Sequence, residues 1–126
     1  MIKILENELW KDFEIAYVTP EKYAVSNFGR IATYIEVIED GEIQKCRVSR
    51  LGYRNYHYRG FDGERVLAKH VIVHELVAQN FLPEPTANQT QIIHINGQMN
   101  NNHHENLKWG TLSEFETARA TYLPKK

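Results

Sequence analysis

A single cysteine, Cys46, stands in 126 residues, so the chain can close no intramolecular disulfide and build no cysteine-based zinc knuckle. A reducing cytoplasm is the expected compartment. Long apolar runs are equally scarce. The longest, around Val71 to Leu82, is broken by His74, Glu75, Gln79 and Asn80, and falls short of the roughly 20 apolar residues that a membrane-spanning helix needs. No membrane partner is expected. The opening residues Met1 to Glu8 lack a basic segment followed by an apolar core, so no secretory signal is expected either. Internal repeats are missing, and low complexity is confined to Asn100-Asn101-Asn102. Disorder is excluded by composition, since 42% hydrophobic and 25% charged residues are ordinary globular values. The length fits one compact domain, or two small modules sharing a core.

Net charge is also small, −1, but it is unevenly spread. Residues 1–44 carry four basic and nine acidic side chains. Residues 45–70 carry seven basic ones, Lys45, Arg47, Arg50, Arg54, Arg59, Arg65 and Lys69, against two acidic. This basic block is interleaved with Tyr53, Tyr56, His57, Tyr58 and Phe61. Such a surface neutralises phosphates and offers rings for stacking. The plainer alternative is a solvated strand face with arginine stems lying over aromatic rings.

Turn chemistry and periodicity place the elements. Asp40-Gly41 lies between the β-branched runs Thr33–Ile38 and Ile43–Val48, and Asp62-Gly63 lies between Tyr53–Phe61 and Arg65–Ala68. Both read as hairpins with tight turns, so the middle of the chain is expected to be an antiparallel meander. From His70 the period changes. Val73, Leu76, Val77, Asn80 and Phe81 share a helical stripe that Pro83 and Pro85 end, which predicts a helix over 70–82. After a polar connector, Gln91–His94 reads as a strand, Asn96-Gly97 as a turn, and Asn106–Trp109 as a second strand. Thr111 and Glu114 have the spacing of a capping box at the start of a last helix. The fold class is therefore α+β, in three parts: a β-rich segment 1–69, a helix with a strand-loop-strand-helix unit over 70–121, and a tail 122–126.

The run Ile93-His94-Ile95-Asn96-Gly97, continued through Asn100-Asn101-Asn102 to Asn106-Leu107-Lys108-Trp109-Gly110-Thr111, resembles the HNH motif of phage-type homing endonucleases. Val73-His74-Glu75-Leu76-Val77-Ala78-Gln79-Asn80-Phe81 is similar to the helix that precedes that motif in the family. Leu9-Trp10-Lys11-Asp12 and Tyr23-Ala24-Val25-Ser26-Asn27-Phe28-Gly29-Arg30-Ile31 are similar to the family's modular DNA-binding segment, which lies N-terminal to both. The resemblance runs from about Leu9 to Thr117 and implies a ββα-metal site. His94 would be the general base that deprotonates water for attack on a phosphodiester, and Asn106 would steady the loop and orient it. The residue types suit the roles, because imidazole accepts a proton near neutral pH and an amide holds it without adding charge. A Mg²⁺ ion would stabilise the departing oxygen.

The sequence departs from that pattern at both family ligand positions, where Ile93 precedes His94 and Phe115 sits four residues after Thr111. Neither offers the oxygen or imidazole that a hard cation requires. Asn96 stands where the family often has aspartate. No resident metal is expected, and Mg²⁺ only if the chain is active. His103 and His104 read as solvated loop residues or phosphate donors. His70 and His74, four apart, read as packing or as a zinc pair, Cys46 as a small half-buried side chain, and Trp10, Tyr23, Val25, Phe81, Leu107 and Trp109 as core.

The expected function is binding of DNA, RNA or a nucleoprotein by a degenerate, catalytically inactive member of that family. Arg47, Arg50, Arg54, Arg59, Arg65, Lys69 and Lys108 are the candidate contacts, and His94 with Asn106 the relic catalytic pair. A phage or mobile-element protein of this kind would act in the cytoplasm of a bacterial host, as a repressor-like DNA binder or as an inhibitor of a CRISPR-type defence complex. The acidic first third favours the inhibitor. The alternative is an active Mg²⁺-dependent nicking endonuclease with His94 as base.

Overall fold

The computed structural model describes residues 1–17, 19–61 and 63–122, without the side chain of Tyr122. Among the described residues, nine short strands and two α-helices make an α+β fold. Strands β1 (Trp10–Phe13), β2 (Lys22–Ser26), β3 (Ile31–Tyr34) and β4 (Glu42–Gln44) form one antiparallel meander, and β5 (Arg47–Val48), β6 (Arg54–Phe61) and β7 (Val66–Ile72) a second. Helix α1 (Val73–Phe81) follows directly. Strands β8 (Gln91–His94) and β9 (Leu107–Gly110) then pair antiparallel, and α2 (Leu112–Tyr122) is the last element among the described residues. Among the described residues no helix is long and apolar enough to cross a membrane.

One apolar cluster joins all of this. Val25 and Ile31 from the first sheet meet Tyr56 and Tyr58 from β6, Val73 and Val77 from α1, and Leu107 from β9. Each fully buried aliphatic side chain of this kind contributes about 1.5–3 kcal/mol against exposure. The helical stripe is the reason α1 forms: Val73, Val77 and Ala78 are its buried residues. It ends at Leu82, held extended ahead of Pro83.

Several expectations are corrected. The helix begins at Val73 instead of 70, because β7 continues to Ile72 and puts His70 on a strand, where its ring stacks on His57 across the sheet. That separates His70 from His74 and removes the zinc pair. The first hairpin is not closed by a two-residue turn at Asp40-Gly41. β3 and β4 close at Thr33 and Glu42, and a 3₁₀ turn over Ile38–Asp40 fills the connection. Gly41 is extended, and it serves as glycine for another reason: a Cβ there would lie 2.2 Å from the Thr33 carbonyl oxygen. The run expected as one strand over Ile43–Val48 is split between the two sheets. In the second hairpin Gly63 has φ +103°, while Asp62 lies outside the described residues. Residues 123–126 of the expected tail also lie outside them. Of the expected core, Val25 and Leu107 are buried, whereas Trp10, Tyr23, Phe81 and Trp109 are half-buried. Trp10 lies under the Arg30 guanidinium and Phe81 under the Lys11 ammonium.

Candidate functional site

The strand-loop-strand-helix unit carries the candidate site. Pairing of Ile93 with Lys108 and of His94 with Leu107 sets its register. Side chains alternate across a strand, so His94 shares a face with Leu107, toward α1, while Ile93 shares the other with Gly110, toward α2. Gly110 makes room there, since a Cβ on it would lie 2.5 Å from Ile93 Cδ1. The helix start is fixed by the expected box. The Thr111 N–H donates to Glu114 Oε1 at 3.0 Å and the Glu114 N–H to Thr111 Oγ1 at 3.2 Å. Those bonds, then the nearby Lys108, hold the Glu114 carboxyl below its ordinary range.

His94 is enclosed, with 4% of its surface exposed. Its Nε2 lies 2.8 Å from Oδ1 of Asn102, itself 3% exposed. The ring of His74 meets it edge-on at 5.0 Å, and Tyr53 packs at 6.1 Å. Burial lowers the His94 pKa from the imidazole norm, and the Asn102 hydrogen bond opposes that shift. Burial, with repulsion from His94 second, pushes His74 down to about 4. Both rings are therefore neutral at pH 7.

Asn106 takes a different position from Asn102. It ends a 3₁₀ turn over His104–Asn106 instead of opening the strand. Its Oδ1 accepts from the Asn96 N–H and its Nδ2 donates to the Asn101 carbonyl, both at 2.9 Å, while its own carbonyl accepts from the Ile95 N–H at 2.7 Å. These bonds clamp the two ends of the loop together. The amide that hydrogen-bonds His94 is that of Asn102. Sequence reasoning missed it, and it missed His74 and Tyr53 as neighbours of the histidine.

On the α2 side, Ile92, Ile93, His94, Met99, Phe115, Ala118 and Arg119 enclose a cavity of about 10 Å³. That is room for one water at most. At the two positions to which the resemblance assigns metal ligands, Ile93 and Phe115 present only aliphatic and aromatic carbon, which offers a hard divalent cation no donor. Among the described residues no three His, Cys, Asp or Glu side chains come together as a metal site.

The N-terminal segment reaches this loop directly. Ser26 to Arg30 make a tight turn in which the Asn27 carbonyl accepts the His104 N–H at 2.8 Å and Phe28 stacks on His103 at 4.5 Å. His103 in turn stacks on His104 at 4.8 Å, so these rings are half-buried in a stack instead of solvated. Gly29, at φ +84°, brings its backbone against Asn102, where a Cβ would stand 2.8 Å from Asn102 Cβ.

The basic block does not form one patch. Along β6, Arg54, Tyr56 and Tyr58 point inward, so the two tyrosines are buried core and burial pushes Tyr56 up to about 12. Among the described residues the buried Arg54 Nε has no hydrogen-bond partner. Arg47 and Arg59 lie on the outer face, as the pairing of Arg47 with Asn55 requires. Lys69 pairs with Tyr58 and so belongs to the other face, at the exposed edge. Arg50 and Arg65 flank opposite ends of β6, and Lys108 is exposed on β9.

No protein-family model matches the chain. Over 110 residues, 86% of this chain, it is 33% identical to an uncharacterized HNH endonuclease of Acanthamoeba polyphaga mimivirus, and it spans 25% of that relative's length. Its fold is similar to that of the HNH homing endonuclease I-HmuI, solved in a study of DNA binding and cleavage. The TM-score is 0.63 at 24% identity, over 93% of this chain and 62% of the other. In sequence and in fold, the chain is a relative of the HNH endonucleases.

Proposed function

We propose that the chain binds nucleic acid through an HNH-type scaffold and does not cleave it. The observation that supports this reading most is the filled ligand site: Ile93 and Phe115 converge on a cavity of about 10 Å³. A general base must also meet the water it activates. His94 has 4% of its surface exposed, and one of its nitrogens is engaged by Asn102. In this reading His94 and Asn106 hold the loop in shape, and the DNA binding of HNH relatives is the retained property. The test is incubation of supercoiled plasmid with Mg²⁺ or Mn²⁺, beside a gel-shift assay on the same DNA. The expected result is a shifted, uncut plasmid. Nicking that disappears in His94→Ala would establish the active endonuclease instead.

A second reading makes the partner a nucleoprotein, with the chain acting as an inhibitor of a host defence complex in the manner of an anti-CRISPR protein. It is favoured by a cleft of about 490 Å³ whose lining includes Glu21, Glu36, Asp40 and Glu42. Those carboxylates repel duplex DNA and suit a basic protein surface. Binding to an RNA-loaded CRISPR effector but not to its bare RNA would select this reading.

A further inference from the structure

The segment ahead of β1 is tied down at both of its ends. Ile2 is buried, and its N–H donates to the Glu39 carbonyl at 3.0 Å. Asn7 turns the segment at φ +64°, a left-handed conformation that asparagine tolerates better than most residues. Glu8 then enters the fold, at 5% exposure. Its carboxylate accepts from the Arg30 guanidinium, through Nε at 2.7 Å and through Nη2, and from the Leu5 N–H at 3.1 Å. Burial raises the Glu8 pKa, but the hydrogen bonds from Arg30 and Leu5 outweigh it and hold the carboxyl below its ordinary value. The same Nη2 donates to the Lys3 carbonyl at 2.9 Å, and the guanidinium lies over the Trp10 ring.

Arg30 ends the turn that meets the β8–β9 loop, and that turn has two sides. Inside it, the Ser26 hydroxyl accepts the Phe28 and Arg30 N–H groups, both at 3.2 Å. Toward the N-terminal segment, Asn27 Oδ1 accepts the Leu9 N–H at 2.8 Å and its Nδ2 donates to the Asn7 carbonyl at 3.2 Å. Toward the loop, the Asn27 carbonyl takes the His104 N–H, Phe28 stacks on His103, and Gly29 packs its backbone against Asn102, the residue hydrogen-bonded to His94. We infer that Glu8 is a positioning residue for His94: by holding Arg30 it fixes the Ser26–Arg30 turn, and the turn holds Asn102 against the imidazole. A buried carboxylate suits this task, because any splaying of the turn would strip a desolvated charge of its fork-shaped partner. Glu8 acts through geometry, and does so whether or not the site meets nucleic acid.

Nuclear magnetic resonance on the ¹⁵N-labelled full chain, at one pH and without ligand, tests this. The His94 ring ¹⁵N shifts are compared in wild type, Glu8→Gln, Asn102→Ala and the double variant. Ring shifts of the folded state are insensitive to a loss of global stability, so they separate positioning from mere destabilisation. Glu8→Gln should move the His94 signals in the wild-type background and leave them in place once Asn102 is alanine, since the effect passes through that amide. The rings of His57 and His70, on the second sheet, should stay where they are. Arg30→Lys keeps a cation but loses the planar fork that joins Glu8 to the Lys3 carbonyl, and it carries the same prediction if Glu8→Gln does not fold. His94 signals that do not move in a folded variant would overturn the inference. Equal movement with and without Asn102, or movement of all three histidines together, would overturn it too, by showing that Glu8 acts by another route or only loosens the fold.

Discussion

Asn102, eight residues after His94, is hydrogen-bonded to the Nε2 of that histidine, while Asn106 holds the loop without touching the ring. The two amides thus act on different parts of the site. Asn106→Ala removes two hydrogen bonds and should destabilise by about 1–3 kcal/mol while leaving the His94 tautomer unchanged. Asn102→Ala should cost a similar amount and alter the ¹⁵N shifts of the His94 ring. Denaturant unfolding and imidazole NMR on both variants check the assignment. A tautomer change in Asn106→Ala would contradict it.

The buried imidazoles make the fold acid-sensitive. The His74 pKa is lowered to about 4, and that of His94 is lowered too, so the unfolded chain binds more protons than the folded one. Stability is then full above the unfolded value near 6.5 and is lost as pH falls toward 4. His74 alone accounts for about 3 kcal/mol over that window. His74→Phe should flatten the decline measured by urea unfolding between about pH 7 and 4. An unchanged acid slope would mean that His74 titrates normally.

Two glycines with positive φ separate backbone strain from collision. Gly63→Ala meets nothing within 4 Å and should cost only the conformational penalty, about 1 kcal/mol. Gly29→Ala adds a contact at 2.8 Å with the Asn102 Cβ and should cost about 2–4 kcal/mol. Thermal melts of the pair should rank them in that order. Equal losses would show that the loop yields freely to the N-terminal segment.

Restoring donors should restore a cation. Ile93→Asp with Phe115→Asn places oxygen ligands on the two facing elements beside His94, and it should create Mg²⁺ binding by calorimetry that wild type lacks. Without metal the double variant should be less stable by about 3 kcal/mol, since Ile93 is 4% exposed and a carboxylate there is desolvated. A folded variant that still ignores Mg²⁺ would place the fault in the backbone geometry.

What was legible in the chain was local. The Thr111–Glu114 box, the strand ending at His94 and the stop at Pro83 each depend on a few neighbouring residues, and each is present in the fold. Long-range choices were not legible. Asn100, Asn101 and Asn102 are chemically identical in sequence, and it is the approach of Gly29 that marks Asn102 as the buried one. Strands β1 and β2 escaped notice because Trp10–Phe13 and Lys22–Ser26 are short and lack clean alternation, and they are held by pairing with each other. Arg54 and Arg59 fall on opposite faces of β6, but a reading by composition merged them into one basic block.

The hydrogen bond from the His104 N–H to the Asn27 carbonyl connects points 77 residues apart in the chain. Contacts of that separation form only after the intervening chain has collapsed, since closure entropy must be offset before they add stability. The loop between β8 and β9 therefore depends on a distant segment for its shape, although the residues that define it are contiguous. Modularity of sequence and modularity of folding part company at this point. A recombination event that exchanged the N-terminal segment for that of a distant relative would leave loop 101–104 without its counterpart, unless the incoming turn also presented a carbonyl, a ring and a glycine in that order.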